Sequence, residues 1–488
     1  MSYSAANVAQ DLIERGEAAA ALALLARAPG TSDVCAARAS AHLALGDSEA
    51  ALSAAREARQ LEPANAAAHF NEGRALMLQG EPEAAAVAFL AAERRFSGVA
   101  EISARLGEAA FLSGSDDAAE SALRRALGRA PAHALAFQTL ADLLHQRADE
   151  AALDELLQRA SAAGGATAYR AASAYARLQR RKEALAALAR AEAGAPPAAA
   201  IDMLAADILR EEGDLGRARI RAEAAARRAP RDPGANAPKM RLLLTIGAVG
   251  EAEALARQML GANPGDQLWL AFLWTALAAQ GSLEAARLLD FDVDVATAVL
   301  RPPAGYASIE DFNTALAAEL RPLHQSSGAA PLGQSVHGGS QTRRPLQSLR
   351  SPALSAFFDL AREAAERFVA ATPHDPSHPL RRWRGRPAKI TGAWSVALAR
   401  GGRHSAHVHP AGSVSSAYYV AAPAGGGDTG RLALGAPPFA VAGLEKPRRT
   451  IEPEPGRLAL FPSYCWHGTT PFDGPGQRLT IAFDAVFR

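Results

Sequence analysis

The chain has 488 residues, with 52 Lys+Arg against 51 Asp+Glu, a formal net charge of +1 and 49% apolar residues. That balance excludes a disordered polyelectrolyte and a basic protein built to coat polyanions, and the length allows two to four domains with ample core. Alanine fills 120 positions, which predicts close-packed helices over a long stretch, while 40 Gly and 30 Pro show that helix is not the whole story.

The two cysteines, Cys35 and Cys465, have no metal-binding or redox spacing around them, and a reducing, cytoplasmic setting is expected. Met1 to Glu17 does not read as a signal peptide. The greasiest stretch, Leu268 to Ala279, is too short to span a bilayer of roughly 30 Å, so no membrane partner is expected. Charge and histidine divide the chain. Residues 291–488 carry 21 Lys+Arg and 15 Asp+Glu against 31 and 36 elsewhere, and 8 of the 12 His follow position 320.

In the first half Gly46, Gly80 and Gly114 are 34 apart. The same spacing relates Ala51, Ala85 and Ala119, and Ala58, Ala92 and Ala126. After a degenerate unit, with Ala148 where the turn glycine belongs, Gly213, Gly247 and Gly281 resume the period, as do Pro196, Pro230 and Pro264. Each unit reads as helix, Gly-Asp or Gly-Glu turn, second helix and terminating Pro. The pattern, clearest over Ala66–Ser97, resembles the tetratricopeptide repeat family. The resemblance implies an all-α solenoid over 1–290, of about eight units, whose concave face binds a protein or peptide partner. Spacing the second half or forming an oligomer is the structural alternative. The run Arg217, Arg219, Arg221, Arg227, Arg228 alternates with Glu and Ala in a net-negative half, which argues for a solvated face rather than nucleic-acid binding.

From Arg301 the period stops, and 291–345 reads as a connecting segment. Ser351–Ala371 predicts an amphipathic helix. Short β-type runs follow at Trp394–Leu398, Ser415–Val420, Arg431–Leu434, Arg457–Phe461 and Leu479–Phe483, which suggest a sandwich or small barrel.

Two stretches carry chemistry. In His407-Val408-His409-Pro410 two imidazoles at i and i+2 share one face of an extended chain, and imidazole suits Fe or Zn. In Phe461-Pro462-Ser463-Tyr464-Cys465-Trp466-His467 a third His ends a strand. Arg478-Leu479-Thr480 opens the last strand, where a guanidinium can fork onto a carboxylate and a hydroxyl on the same face adds a bond.

These blocks, with Ser415–Val420, Arg478–Asp484 and the upstream Gln334–Thr342, resemble a family of 2-oxoglutarate/Fe(II) oxygenases. The resemblance implies a double-stranded β-helix (jelly-roll) over 346–488, so that the whole is an α+β multidomain chain. It further implies Fe(II) on His407, His409 and His467, and 2-oxoglutarate on Arg478, Thr480 and Tyr418. No catalytic residue is expected beyond these groups. The wider superfamily has a carboxylate where His409 stands. Three readings stay open: His409 ligates, it points away and water fills the place, or Asp428 supplies a carboxylate. His404 and His337 are candidate supporting or substrate groups, and Arg381–Arg386 reads as a solvated surface or an acidic-substrate contact rather than a nucleic-acid site.

The implied activity is an Fe(II)- and 2-oxoglutarate-dependent dioxygenase, a hydroxylase of a protein or peptide side chain that consumes O2. The alternatives are a three-His iron dioxygenase that needs no 2-oxoglutarate, and a non-catalytic repeat scaffold.

Overall fold

A computed structural model describes residues 4–194, 198–325, 329–422 and 429–488. The chain divides into two compact units, Met1–His145 with Glu150–Leu156, and Gln146–Asp149 with Leu157–Arg488. No helix among the described residues is long and apolar enough to cross a membrane.

The first unit is an array of antiparallel helix pairs of tetratricopeptide type, such as Ser32–Ala44 with Ser48–Leu61 and Ala66–Leu78 with Pro82–Arg95. The turn after each first helix closes on a left-handed glycine, at φ 76° for Gly46, 74° for Gly80 and 79° for Gly114. In each the next amide reaches five residues back, from Asp47 N to His42 O at 3.0 Å and from Glu81 N to Leu76 O at 2.9 Å, which satisfies carbonyls the helix end leaves open. The periodic alanines 51, 85, 119, 58, 92 and 126 are all fully buried. Gly73 and Gly107 are glycine for contact reasons, since a Cβ there would lie 2.6 Å from the Phe89 ring and 2.5 Å from Leu123.

The degenerate stretch has a simple explanation. Positive φ recurs at Ala148 (54°) and Gln179 (61°), the described non-glycine residues with that geometry, and then at Gly213, Gly247 and Gly281. The turn slot therefore survives without glycine, and one unit is three residues short before the period of 34 resumes. The Gln179 turn keeps the same closure, with Arg180 N on Tyr175 O at 2.8 Å. A glycine search misses both slots because a side chain at positive φ is tolerated at a cost of about 1–2 kcal/mol.

The second unit holds helices as far as Leu283–Leu288 and then, among the described residues, nine strands: β1 (Ala296–Val299), β2 (Val336–Gln341), β3 (Ala388–His404), β4 (Val414–Ala421), β5 (Leu432–Leu434), β6 (Arg449–Ile451), β7 (Arg457–Pro462), β8 (His467–Thr469) and β9 (Arg478–Phe487). They form an antiparallel six-stranded sheet, β1-β7-β4-β9-β3-β2, and a three-stranded sheet, β6-β5-β8. The closed double-stranded β-helix implied by resemblance is not what forms, because both sheets stay open and uncurled. The physical reason lies in what covers them. Helices Ile309–Gln325 and Pro352–Ala371 share an apolar core with β3, β4, β7 and β9. The short strands β5 and β6 and the β7–β8 turn instead bury Leu432, Leu434, Ile451 and Trp466 with Trp269 and Phe272 of the helix Gln267–Ala279. Trp466 Nε1 also donates to Thr275 Oγ1 at 2.9 Å. Helices take the apolar faces that a closed barrel would pair with each other.

The predicted runs correspond to β3, β4, β5, β7 and β9. Strands β1, β2, β6 and β8 and the helix Ile309–Gln325 were not anticipated. β2 reads Val-His-Gly-Gly-Ser-Gln and lacks the alternation that marks a strand, and β6 and β8, at three residues each, are too short for any period.

Candidate metal centre

The His-x-His stretch, β8 and β9 of the second unit bring site residues to one cavity of about 600 Å³. After β3 ends at His404, the chain stays extended: His407 and His467 exchange backbone hydrogen bonds at 2.9 and 3.0 Å, and His409 N reaches Ser463 O at 3.1 Å. That pairing ties the His-x-His stretch to the start of β8 and turns three rings toward one point. Their ligand atoms lie within 4.8 Å of one another.

Each ring is fixed from behind. His407 Nδ1 lies 2.9 Å from Ser405 O and His467 Nδ1 2.9 Å from Cys465 O. A carbonyl only accepts, so each Nδ1 carries the proton and each Nε2 keeps its lone pair. His409 Nδ1 faces Asp484 Oδ1 at 2.6 Å. His407 and His409 thus turn two Nε2 atoms on each other at 3.1 Å. A cation shared between the two nitrogens, a proton or a metal ion, suits that range. The separation is also about that of two neighbouring ligands on an ion with bonds of ~2.1 Å. Burial, and then the neighbouring His409, pulls the His407 pKa down to about 4. Burial likewise holds His467 and His404 well below the ordinary value. Neutral, inward-facing imidazoles are the form that binds metal, so the residues fit an ion such as iron.

The alternate residues of β9, Arg478, Thr480, Ala482 and Asp484, all line this cavity. Arg478 is 2% exposed, and among the described residues its Nε has no partner. Its guanidinium lies 4.9 Å over the Tyr419 ring, and burial lowers its pKa. Thr480 Oγ1 donates to Val396 O at 3.3 Å. Tyr418 is not brought to the site. It points to the opposite face, into the core beside Phe357, with its hydroxyl on Asn313 Oδ1 at 2.6 Å. Its neighbour Tyr419 is the one that meets Arg478, with the ring beneath the guanidinium. The strand alternation left this choice between neighbours open, and only the β4–β9 register resolves it.

His404 lines the cavity, with Nδ1 on Ser335 Oγ at 3.0 Å and its ring stacked 6.1 Å from His407. His337 is exposed. Asp428 lies outside the described residues. Two residues stand out that were quoted only as the ends of a motif or a strand: Asp484, and Trp394, whose ring lies 5.2 Å from His409. Asp484 has the same strand parity as Arg478, and that was the available signal.

The site is thus a three-histidine cluster able to hold a metal ion, in an oxygenase-like domain with no carboxylate among the three grouped residues. Residues 392–484 match the family described as "Putative 2OG-Fe(II) oxygenase". No curated protein matches the chain. Among solved structures, PilF of Pseudomonas aeruginosa is similar at 16% identity, with 47% of this chain and 93% of that one covered and a TM-score of 0.31. A tetratricopeptide repeat protein from Parabacteroides merdae is similar at 15% identity, with 45% and 90% covered and a TM-score of 0.33. MamA of Desulfovibrio magneticus gives 19% identity, 32% and 90% covered and a TM-score of 0.29.

Proposed function

We propose that the C-terminal domain is an iron oxygenase whose metal is held by the three imidazoles of His407, His409 and His467, without a carboxylate ligand. The observation that carries this reading is the common aim of the three rings, each held at Nδ1 so that three Nε2 atoms face one point. Bound there, iron supplies the redox chemistry that couples dioxygen to oxidation of a substrate. The chain's part is to orient the ligands through Ser405 O, Cys465 O and Asp484, and to wall the cavity with Trp394 and Phe461 against bulk water. The repeats are proposed to recruit the substrate as a protein or peptide segment.

One observation favours a second reading, in which 2-oxoglutarate is a cosubstrate. A guanidinium 2% exposed, with Nε unpartnered and no acid paired to it among the described residues, calls for an anion. A carboxylate against Arg478 and Thr480 would answer that need. Anaerobic Fe(II) titration with and without 2-oxoglutarate separates the readings. Stoichiometric iron binding without a visible charge-transfer band on adding 2-oxoglutarate supports the first. Appearance of the band supports the second, and then Arg478→Ala should weaken 2-oxoglutarate more than ~10-fold while sparing iron. No iron binding would leave a repeat scaffold.

A further inference from the structure

A two-His-one-carboxylate set puts one negative charge directly on its ion, and the three-imidazole ring here puts none. We propose that Asp484 restores that charge from one bond further out, acting through His409 as the positioning residue that sets the affinity and reduction potential of the metal. The inference rests on the metal-centre reading above.

The three rings are not held alike. His407 and His467 face neutral carbonyls, whereas His409 faces a carboxylate at 2.6 Å. A carboxylate behind an imidazole raises the basicity of the ligating nitrogen. Asp484 is itself 8% exposed. Its Oδ1 also accepts from Ser415 Oγ at 2.7 Å, and that hydroxyl lies 2.9 Å from Ser463 Oγ. Its nearest polar partner is the His409 ring, a cation only when protonated, and among the described residues no Lys or Arg pairs with it. Arg478, on the same face of β9, is six residues away, about 20 Å along a strand. A buried carboxylate without a cation costs several kcal/mol. A cation held by His409 at its Nε2 would offset that cost.

The surroundings are built for the contact. Ser415 is the cross-strand partner of Asp484 between β4 and β9. Gly412 leaves room for it: a Cβ there would fall 2.5 Å from Ser463 Oγ and 3.2 Å from Asp484 Cβ. One strand therefore carries its cation at one end of the cavity and its anion at the other, behind the metal ligand.

The test uses the full chain, with Co(II) affinity read from its visible d–d absorption and the Fe(III)/Fe(II) potential read by redox titration. Asp484→Asn keeps the size and an accepting oxygen but removes the charge. It should weaken Co(II) about 10–100-fold and raise the potential, while the metal-free chain melts no lower than the unaltered one. Ser415→Ala removes a hydrogen bond and keeps the charge, and should stay within ~3-fold in affinity. Unchanged affinity and potential in Asp484→Asn would overturn the proposal, and so would a Ser415→Ala loss as large as that of Asp484→Asn, which would trace the effect to packing. An unaltered chain that fails to bind Co(II) or Fe(II) would instead overturn the metal-centre reading, and this inference with it.

Discussion

The repeat helices and the strands around the three imidazoles treat buried polar groups in opposite ways. In the helices each buried carboxylate is closed off by arginines. Glu93 meets Arg125 at 2.8 Å and Arg129 at 3.3 Å, and Asp202 meets Arg221 at 2.9 Å and Arg228 at 2.8 Å. Around the cavity the same kinds of group are left open: among the described residues Arg478 has no acid and Asp484 no arginine, and three imidazoles converge on one point. A closed set fixes helices against one another and has no valence left for a ligand. An open set carries a cost that binding can offset, which is where chemistry is expected.

The comparison can be broken in several places. The largest effect should come from His467→Ala, which leaves two imidazoles and should weaken metal by more than ~100-fold, read by Co(II) titration, with the helical far-ultraviolet signal intact. If affinity survives, the three rings are not a ligand set.

Acid should act on the sheet region next. His324 is buried between Ser340 Oγ at 2.8 Å and Ser395 Oγ at 3.0 Å. Ser395 gives its proton to Thr480 O, so it accepts from His324 Nε2, and Ser340 donates to Nδ1. Burial takes the His324 pKa down to about 4. The folded state thus keeps this ring neutral while the unfolded chain protonates it near pH 6.5. Its contribution is fully present above pH 6.5 and is lost as pH falls to about 4, about 3 kcal/mol in all. Urea unfolding from pH 7 to 4 should show His324→Gln losing less stability than the unaltered chain. Parallel curves would assign the acid sensitivity elsewhere.

In the helices the sensitive groups are apolar. Gly73→Val forces a side chain into the Phe89 ring and should cost about 1–3 kcal/mol in a thermal melt, without touching metal affinity. A coupled loss of metal binding would show that the two regions are not separable in this way. The smallest effect is a gain. Ala148→Gly relieves a non-glycine residue at φ 54° and should stabilise by about 1 kcal/mol. No shift in the melt would mean that the φ is relaxed in solution.

The helix array was readable because its information is local. Glycine, small residues and proline recur at one spacing, and each governs a turn or a contact a few residues away. Where the signal weakened, at Ala148 and Gln179, the backbone held its shape without the residue that advertises it. The three histidines were readable for a related reason, since two share a face at i and i+2 and the third lies in a matched block. The strands β1 and β2 were hidden because a bulged or edge strand need not alternate.

The sequence by itself determined the repeat, the boundary in composition near residue 300, and the set of histidines and the arginine that surround one cavity. Tertiary structure alone decided that the sheets stay open beneath helices, that Tyr419 rather than Tyr418 meets Arg478, and that Asp484 stands behind His409. Each of these turns on register between strands distant in the chain, where a shift of one residue exchanges the two faces. Periodicity along the chain does not carry that information.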